Sequence, residues 1–575
     1  MNITNNDETT VLISSTGIPS AVSDKRSPNQ RRLAVYIILA STIFERLAFY
    51  SLAINLVVTL KSTEPNWDPS NSATASFIFF GTSYISTLIF AAVSDAKLRR
   101  SKTILIGFIL YIIGYVFINF IANAATHETI CTGTSPTHSS IFTEHCGPQI
   151  IGTLVFTAIG VGAVQANMAV FGAEQIQASK VTSRYFYKYF IAVNIGAVIA
   201  TLSIPLVQND SDNMTKANSY FYGYLIALFT LIISAGLFLS GFQYYIHVPP
   251  FDSVILKCIP ITINAYQTWF KYRVNNNDNN NQRRDGYRGL WNNRNSISQE
   301  DSSFPAEQAL SFLDYAKAAN NGKYPDRIVN DVKALRTALI VYILLIPYWI
   351  IYFQIQITFP LQGQQMYIPI LHDNDKIPIS WMSLGDSVTI IIGISMLAIF
   401  VYKCLNAPKR RVSIRVKLIT GMILASLAMC IAGTIEIFRQ QNCVFGKSDS
   451  SLSIYAQLPQ NICMGLAEIF ATVASLEYAY LAAPRSAQSL LMSLQFCLLG
   501  FSSFLAKAYF SIYSTTTSKF DFSCLDLNKW TYTLYFFVLA GLQIPFIIII
   551  FICDKKFKIL KLNPQHTETQ QFQTS

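Results

Sequence analysis

Twelve apolar stretches of about 20 residues run through this chain, each long enough to cross roughly 30 Å of hydrocarbon as a helix. They fall at 33–60, 75–94, 103–123, 149–171, 186–206 and 219–245, and then at 336–360, 381–403, 416–438, 456–481, 488–512 and 531–553. A soluble fold cannot hide so much apolar material, because single cores stop growing at about 250–300 residues. Of the 575 residues 51% are hydrophobic and 13% charged, about half the charge usual in a soluble domain. Lipid must therefore solvate much of the surface, and the spacing predicts an all-α polytopic membrane protein with twelve transmembrane helices as six plus six.

A polar insert separates the two sets. The boundaries expected are a tail at 1–32, a six-helix bundle at 33–248, a linker at 249–335, a second bundle at 336–553 and a tail at 554–575. The linker holds the run Asn275 to Asn281 and the cluster Arg283, Arg284 and Arg288, and its middle reads as disordered. Ala306 to Val332 has helical periodicity and is expected to pack on the cytosolic face.

Lysine and arginine set the orientation. They gather at Lys25, Arg26, Arg31 and Arg32, between Lys97 and Lys102, and between Lys403 and Lys417, and are absent from Asn123 to Gln149. Both termini and the linker are thus expected in the cytosol, with the sequons at Asn209 and Asn213 on the opposite side. About half of this charge pattern is anchoring of that kind. The net charge of +11 is spread between spans, so nucleic acid is not an expected partner. The polar first 32 residues and the long first span do not form a signal peptide. Ten cysteines with no CxxC or zinc spacing predict neither a disulfide scaffold nor a metal site. An oxidising compartment would permit Cys131–Cys146 and Cys443–Cys524.

Ionisable groups inside the bilayer cost several kcal/mol and are functional candidates. Glu45 and Arg46 lie midway along the first span, Asp386 early in the eighth, Glu468 and Glu477 in the tenth, and Lys507 in the eleventh. Tyr50, Tyr84 and Asn194 add polar groups. Such a set can hold a zwitterion, with carboxylates for an ammonium and a guanidinium for a carboxylate. Plainer readings exist: Glu45 and Arg46 as a structural pair, Lys507 snorkelling to the interface, and Glu477 pairing with a loop cation. Gly160 and Gly162, with no strand before them, read as helix packing contacts rather than a nucleotide loop.

Several segments resemble the proton-coupled oligopeptide transporter family: Phe186 to Ala197, Phe171-Gly-Ala-Glu-Gln175, and Leu476 to Pro484. Ile346 to Gln354 with Leu361 and Gln362 is similar to that family's endolysosomal peptide/histidine branch. The resemblance covers about Arg32 to Cys553 and implies the major facilitator fold, with substrate near the midplane between the two halves. It also fits Asp95 to Lys102 and Lys409 to Lys417 to the fold's basic hinge turns.

By this resemblance Arg46, Tyr50, Tyr84, Asn194, Asp386 and Glu468 bind substrate. Arg46 takes the carboxylate, Glu468 the amino terminus, and Glu45, Asp386 and Glu468 carry protons. The family's first-helix pattern has an acid where this chain has Thr42, and a fourth-helix lysine where it has Gln165. Losing one charge of a buried pair strands the other at about 3–5 kcal/mol, whereas losing both can be nearly neutral.

The resemblance implies a symporter of di- or tripeptides, or histidine, moving substrate and protons to the cytosol across an endosomal or lysosomal membrane. No enzymatic chemistry, cofactor or metal is expected. Glu8, Leu12 and Ile13 resemble an acidic dileucine signal for a sorting adaptor. The alternative is a transporter-like scaffold that recruits cytosolic proteins with little coupled transport.

Overall fold

The computed structural model describes residues 26–62, 67–131, 140–176, 179–209, 216–248, 258–273, 311–320, 322–372, 375–404, 413–443, 450–482, 488–516 and 530–557. Long helices dominate. The first group is α1 (Pro28–Ala53), α2 (Leu56–Ser62), α3 (Pro69–Ala96), α4 (Arg100–Ala122), α5 (Ala124–Ile130), α6 (Gly147–Glu174), α7 (Ser179–Asn209) and α8 (Lys216–Ser240). A helix over 258–273, α9, follows. The second group is α10 (Asp326–Leu344), α11 (Ile346–Tyr352), α12 (Thr358–Gly363), α13 (Leu384–Cys404), α14 (Ile414–Gln441), α15 (Leu458–Ala482), α16 (Gln488–Thr516) and α17 (Trp530–Phe557). A two-stranded hairpin, Ile370–His372 with Asp375–Lys376, is the sheet among the described residues.

Helix starts follow local chemistry. Ser27 Oγ accepts from Gln30 N at 3.3 Å, Gln30 Oε1 accepts from Ser27 N at 2.9 Å, and Pro28 opens α1. This reciprocal cap satisfies amides that have no partner inside the helix. Asp68 caps α3 one way, its Oδ2 accepting from Ser70 N at 3.0 Å, again before a proline.

One face of each long helix packs and the other stays apolar outside. On α4, Ile104, Phe108, Tyr111, Tyr115 and Ile118 are buried while Ile106, Ile109, Ile113, Phe117 and Phe120 are exposed. Both stripes repeat every three or four residues, so the outer one is the lipid-facing side. Ten helical spans among the described residues have the length and composition to cross a membrane.

The two remaining sequence spans differ for physical reasons. The tenth is the continuous helix α15, with Gln460, Asn461 and Glu468 diluting its apolar character. The seventh is broken: α10 stops at Leu344, Pro347 starts α11, and a non-helical turn separates α11 from α12. Unpaired backbone at this depth is tolerated when protein groups satisfy it. Backbone carbonyls three to five residues back take the amides of Gln354 to Phe359. The Gln354 side chain anchors the turn, with Nε2 donating to Ile350 O at 2.8 Å and Oε1 accepting from Thr358 Oγ1 at 2.9 Å and Tyr535 Oη at 2.7 Å.

The expected helix over Ala306 to Val332 is not one element. Residues 311–320 form two short 3-10 turns, and α10 begins at Asp326, behind Gly322 and Pro325. A β-carbon at Gly322 would stand 2.1 Å from Ala316 C, so the chain must turn tightly there. Leu313, Ala316, Val329 and Val332 bury against Ile261 and Ala265 of α9. The linker middle, the sequon side chains, Glu477 and Cys524 lie outside the described residues, as do Glu8, Leu12 and Ile13. Cys131 and Cys146 are disulfide-bonded, and Cys443 is also in a disulfide.

The groups meet in one continuous core. α3 lies along α16, α7 against α13, and α2 touches α12. Close approach of α3 and α16 needs glycine, because a β-carbon on Gly500 would stand 2.7 Å from Gly81 O and 2.8 Å from Ile85 N.

Candidate functional site

The charged candidates collect where the two helix groups face each other. Glu45, Arg46, Tyr84, Asn194, Asp386 and Glu468 are all buried, and Tyr50 is partly so. Tyr50 of α1 lies within electrostatic range of Tyr84 and Arg46 from the first group, and of Glu468 and Asp386 from the second. Tyr84 of α3 senses Arg46, Glu468 and Glu45. Its ring lies 6.1 Å from Phe496 of α16, stacked, and 6.3 Å from Phe353.

Arg46 is held on three sides. Its Nε and Nη2 donate to the two Glu45 carboxylate oxygens at 2.5 and 2.6 Å. Its guanidinium carbon sits 4.7 Å from the Phe49 ring centre, a cation–π contact. Gly196 of α7 lets that helix press on α1, since a β-carbon there would stand 2.8 Å from Arg46 Cβ. Structural pairing of Glu45 with Arg46 is therefore real, and it leaves the guanidinium inside the site.

Asp386 and Glu468 face a common region from α13 and α15. Gly465 makes this possible, because a β-carbon would stand 2.6 Å from Asp386 O and 2.9 Å from Thr389 Cβ. Asp386 Oδ1 has no hydrogen-bond partner among the described residues, and neither acid forms a salt bridge there. Two buried carboxyls without a cation must take up a proton or receive a cationic group, since an isolated buried charge is costly.

Thr42 and Gln165 are both buried. Thr42 Oγ1 donates to Ile38 O at 2.8 Å, one turn back in its own helix. The Gln165 side chain lies beside the Tyr84 hydroxyl, and its Oε1 has no partner among the described residues. Asn194 is less central, as its Nδ2 donates to Phe190 O at 2.9 Å in α7. Lys507 is half-buried. Gly160 and Gly162 are packing contacts: a β-carbon on Gly160 would meet the Tyr111 backbone, and one on Gly162 would meet Ser86 of α3.

Sequence reasoning missed the aromatic lining. Tyr189 lies in range of Arg46 and Glu45, and Tyr352 in range of Glu468, Tyr50, Tyr84 and Asp386. Tyr348 shares a 2.8 Å hydrogen bond with Thr472 Oγ1. It missed a second buried ion pair as well. Arg439 donates to Glu436 at 2.6 and 2.9 Å, and Gln362 Nε2 donates to Glu436 Oε2 at 2.9 Å. Gln457 and Gln460 donate to Gln362 Oε1 at 3.0 and 3.3 Å. This network ties α12 to α14 and α15, away from the tyrosines.

The segment Phe171 to Gln175 closes one end of the first helix group. Gln175 Oε1 accepts from Ile246 N at 2.8 Å and from Arg26 Nη1 at 3.0 Å. Arg100 bridges Glu174 and Asp95, the latter at 2.7 Å.

A sequence model described as POT family matches residues 101–529, well over half of the chain. The chain belongs to the POT family. It is thus a multi-pass membrane transporter rather than an enzyme. Solute carrier family 15 member 3 of Mus musculus is 26% identical over 569 residues, covering 91% of this chain and 92% of that one. The Rattus norvegicus protein of the same description is 25% identical over 557 residues, covering 89% of each. NRT1/PTR family 7.2 of Arabidopsis thaliana is 25% identical over 591 residues, covering 95% of each.

Among solved structures, an auto-inhibited POT family peptide transporter superposes with a TM-score of 0.65 at 15% identity, covering 91% of this chain and 97% of that one. A POT family transporter in complex with 5-aminolevulinic acid gives 0.60 at 14% identity, covering 92% and 96%. At these identities the likeness concerns the fold, which is that of POT transporters.

Proposed function

We propose that this POT transporter is a proton-coupled symporter of di- and tripeptides, or of histidine, working by alternating access across an endolysosomal membrane toward the cytosol. The observation that carries this reading is the pairing of one fixed guanidinium, on Arg46, with two buried carboxyls on the opposing helices, Asp386 and Glu468. A zwitterion spanning the interface would satisfy both sides at once. Arg46 takes the carboxylate as a two-point partner, and Glu468 takes the ammonium. Tyr50, Tyr84 and Asn194 line the space between. Glu45, Asp386 and Glu468 exchange protons, because protonation removes the cost of a buried charge.

The bundles 33–248 and 336–553 move against each other, with 249–335 as a cytosolic linker and cytosolic tails at 1–32 and 554–575. Glu8, Leu12 and Ile13 in the first tail bind a sorting adaptor. The similarity of Ile346 to Gln354, with Leu361 and Gln362, to the peptide/histidine branch supports that substrate class. Uptake of labelled histidine and of a dipeptide into vesicles, compared at pH 5 and pH 7, tests the proposal. Accumulation that depends on the proton gradient is expected.

Thr42 bonded back into its own helix and Gln165 with a free Oε1 favour a second reading, in which the chain binds ligand and recruits cytosolic proteins without coupled transport. Ligand binding by folded protein with no accumulation at either pH would decide for it.

A further inference from the structure

A separate group of metal-ligating side chains sits at the far end of the first helix group, around α5. His127 lies on that helix and Cys131 is its C-cap, four residues on, with Cys131 N donating to His127 O at 2.8 Å, so the two stand on one side. His145 comes from the segment before α6, and its Nε2 lies 3.1 Å from His127 Nε2. His127 Nδ1 lies 2.8 Å from Ile121 O, so it carries the proton and donates it there. The lone pair of His127 Nε2 is then turned toward His145. A ring nitrogen bonded to a backbone carbonyl is how proteins orient metal-binding histidines. Zinc bonds nitrogen at about 2.0–2.1 Å, so two nitrogens of one tetrahedral ion stand about 3.3 Å apart. The observed spacing is close to that.

The surroundings hold the pair in place. Trp67 Nε1 donates to His145 O at 2.9 Å, and the neighbouring Glu144 carboxylate accepts from Asn71 Nδ2 at 2.7 Å. Both histidines are half-buried, open enough for an ion to enter. One ring nitrogen of each histidine and the Cys131 sulfur all lie within 4.8 Å of one another. The sulfur stands 3.7 Å from His127 Nδ1, so the released thiol must rotate toward Nε2 to share an ion with it. One of the three is disabled here, because Cys131 is bonded to Cys146 and a disulfide sulfur is no thiolate ligand.

We propose that His127, His145 and Cys131 form a redox-gated site for a zinc-class divalent cation, closed while the disulfide stands and opened by a dithiol. The dithiol attacks the Cys131–Cys146 bond, passes through a mixed disulfide and leaves as a cyclic disulfide. Its two electrons reduce the bond, and its two protons pass to the two cysteine sulfurs. Cation binding then displaces the proton of Cys131 and breaks the His145 Nε2–H to His127 Nε2 hydrogen bond, His145 shifting its proton to Nδ1, which leaves a His2Cys set with a fourth position open to water.

Cobalt(II) titration of the full-length protein in detergent tests this, since thiolate-bound four-coordinate cobalt gives charge-transfer and intense visible bands. Oxidised wild type should show neither. Cys146→Ser, which frees Cys131 without reductant, should bind one cobalt with both bands. Dithiol-treated and desalted wild type should do the same. Adding His127→Gln to Cys146→Ser should weaken cobalt binding at least tenfold and zinc competition alike. Absence of the bands in both Cys146→Ser and dithiol-treated wild type would overturn the assignment. So would unchanged affinity on adding His127→Gln.

Discussion

Arg46 forms a two-point ion pair with Glu45, the residue immediately before it in the same helix, at 2.5 and 2.6 Å. Adjacent helical residues point about 100° apart, so both side chains must bend toward each other for this contact. A substrate carboxylate at Arg46 shares the guanidinium with Glu45 or displaces it. Arg46→Lys keeps the charge and loses the fork. Losing one charged hydrogen bond, about 1.5–3 kcal/mol, should weaken substrate binding roughly 10- to 150-fold. Arg46→Ala should also lower stability, by about 3–5 kcal/mol, as it strands the Glu45 charge. Substrate competition and thermal unfolding in detergent read the two effects separately.

Gly465 sets the approach of α15 to α13, and through it the approach of Glu468 to Asp386. A methyl group there has backbone in its way, so Gly465→Ala should destabilise by about 1–3 kcal/mol and abolish transport. Gly236→Ala, where the added carbon would meet nothing within 4 Å, should leave the melting temperature within a degree or two. Equal behaviour of the two variants would remove this packing from the account.

His247, outside the membrane-spanning helices, gives the fold a pH dependence. Burial depresses its pKa, helped by the charges of Arg99 and Arg26 and opposed by a hydrogen bond the ring donates to the Phe242 backbone carbonyl. Its ring nitrogen Nδ1 lies 3.0 Å from Ser101 Oγ, linking the end of the first helix group to α4. With a folded pKa below the unfolded value, about 6.5, the contribution to stability is present above that value. It is lost as pH falls through the folded pKa. His247→Gln should flatten the decline in melting temperature between pH 7 and pH 5. A decline identical to wild type would assign it to other groups.

Thr42 and Gln165 stand where the resembled pattern has an acid and a lysine, and both are buried. Thr42→Glu alone puts an unpaired charge in the core and should cost several kcal/mol. Thr42→Glu with Gln165→Lys should recover most of that loss in a double-mutant cycle on thermal stability. A double variant no better than the single one would show that the two positions do not interact here.

Much of this was legible in the chain. The apolar runs announce the fold, and the intramembrane charges mark most of the residues proposed for the site, because buried charge is rare enough to stand out. Other features were not legible for definable reasons. The break between α11 and α12 sits inside an apolar run, and periodicity cannot show that short-range backbone bonds carry the chain through the turn while the Gln354 amide takes the Ile350 carbonyl. Tyr189, Tyr352 and Phe496 belong to a chain that is 13% aromatic, so nothing in sequence separates pocket rings from core rings. Glu436 and Arg439 lie at the end of a span, where charges usually reach water. Burial of that pair depends on α12 and Gln362 folding over it. Approach of Asp386 to Glu468 rests on a glycine three residues from Glu468, and single glycines are common in membrane helices.

Central to the account is that protons travel with substrate through the buried acids, Asp386 among them. Reconstituted protein with a pH dye inside the vesicles measures this directly, as proton entry on adding dipeptide or histidine outside at pH 5. Wild type should acidify the interior in step with substrate entry. Asp386→Asn should bind substrate within about threefold of wild type, a difference under about 0.7 kcal/mol, while losing the substrate-driven proton flux. Substrate entry without proton flux in wild type, or an undiminished flux in Asp386→Asn, would contradict the account.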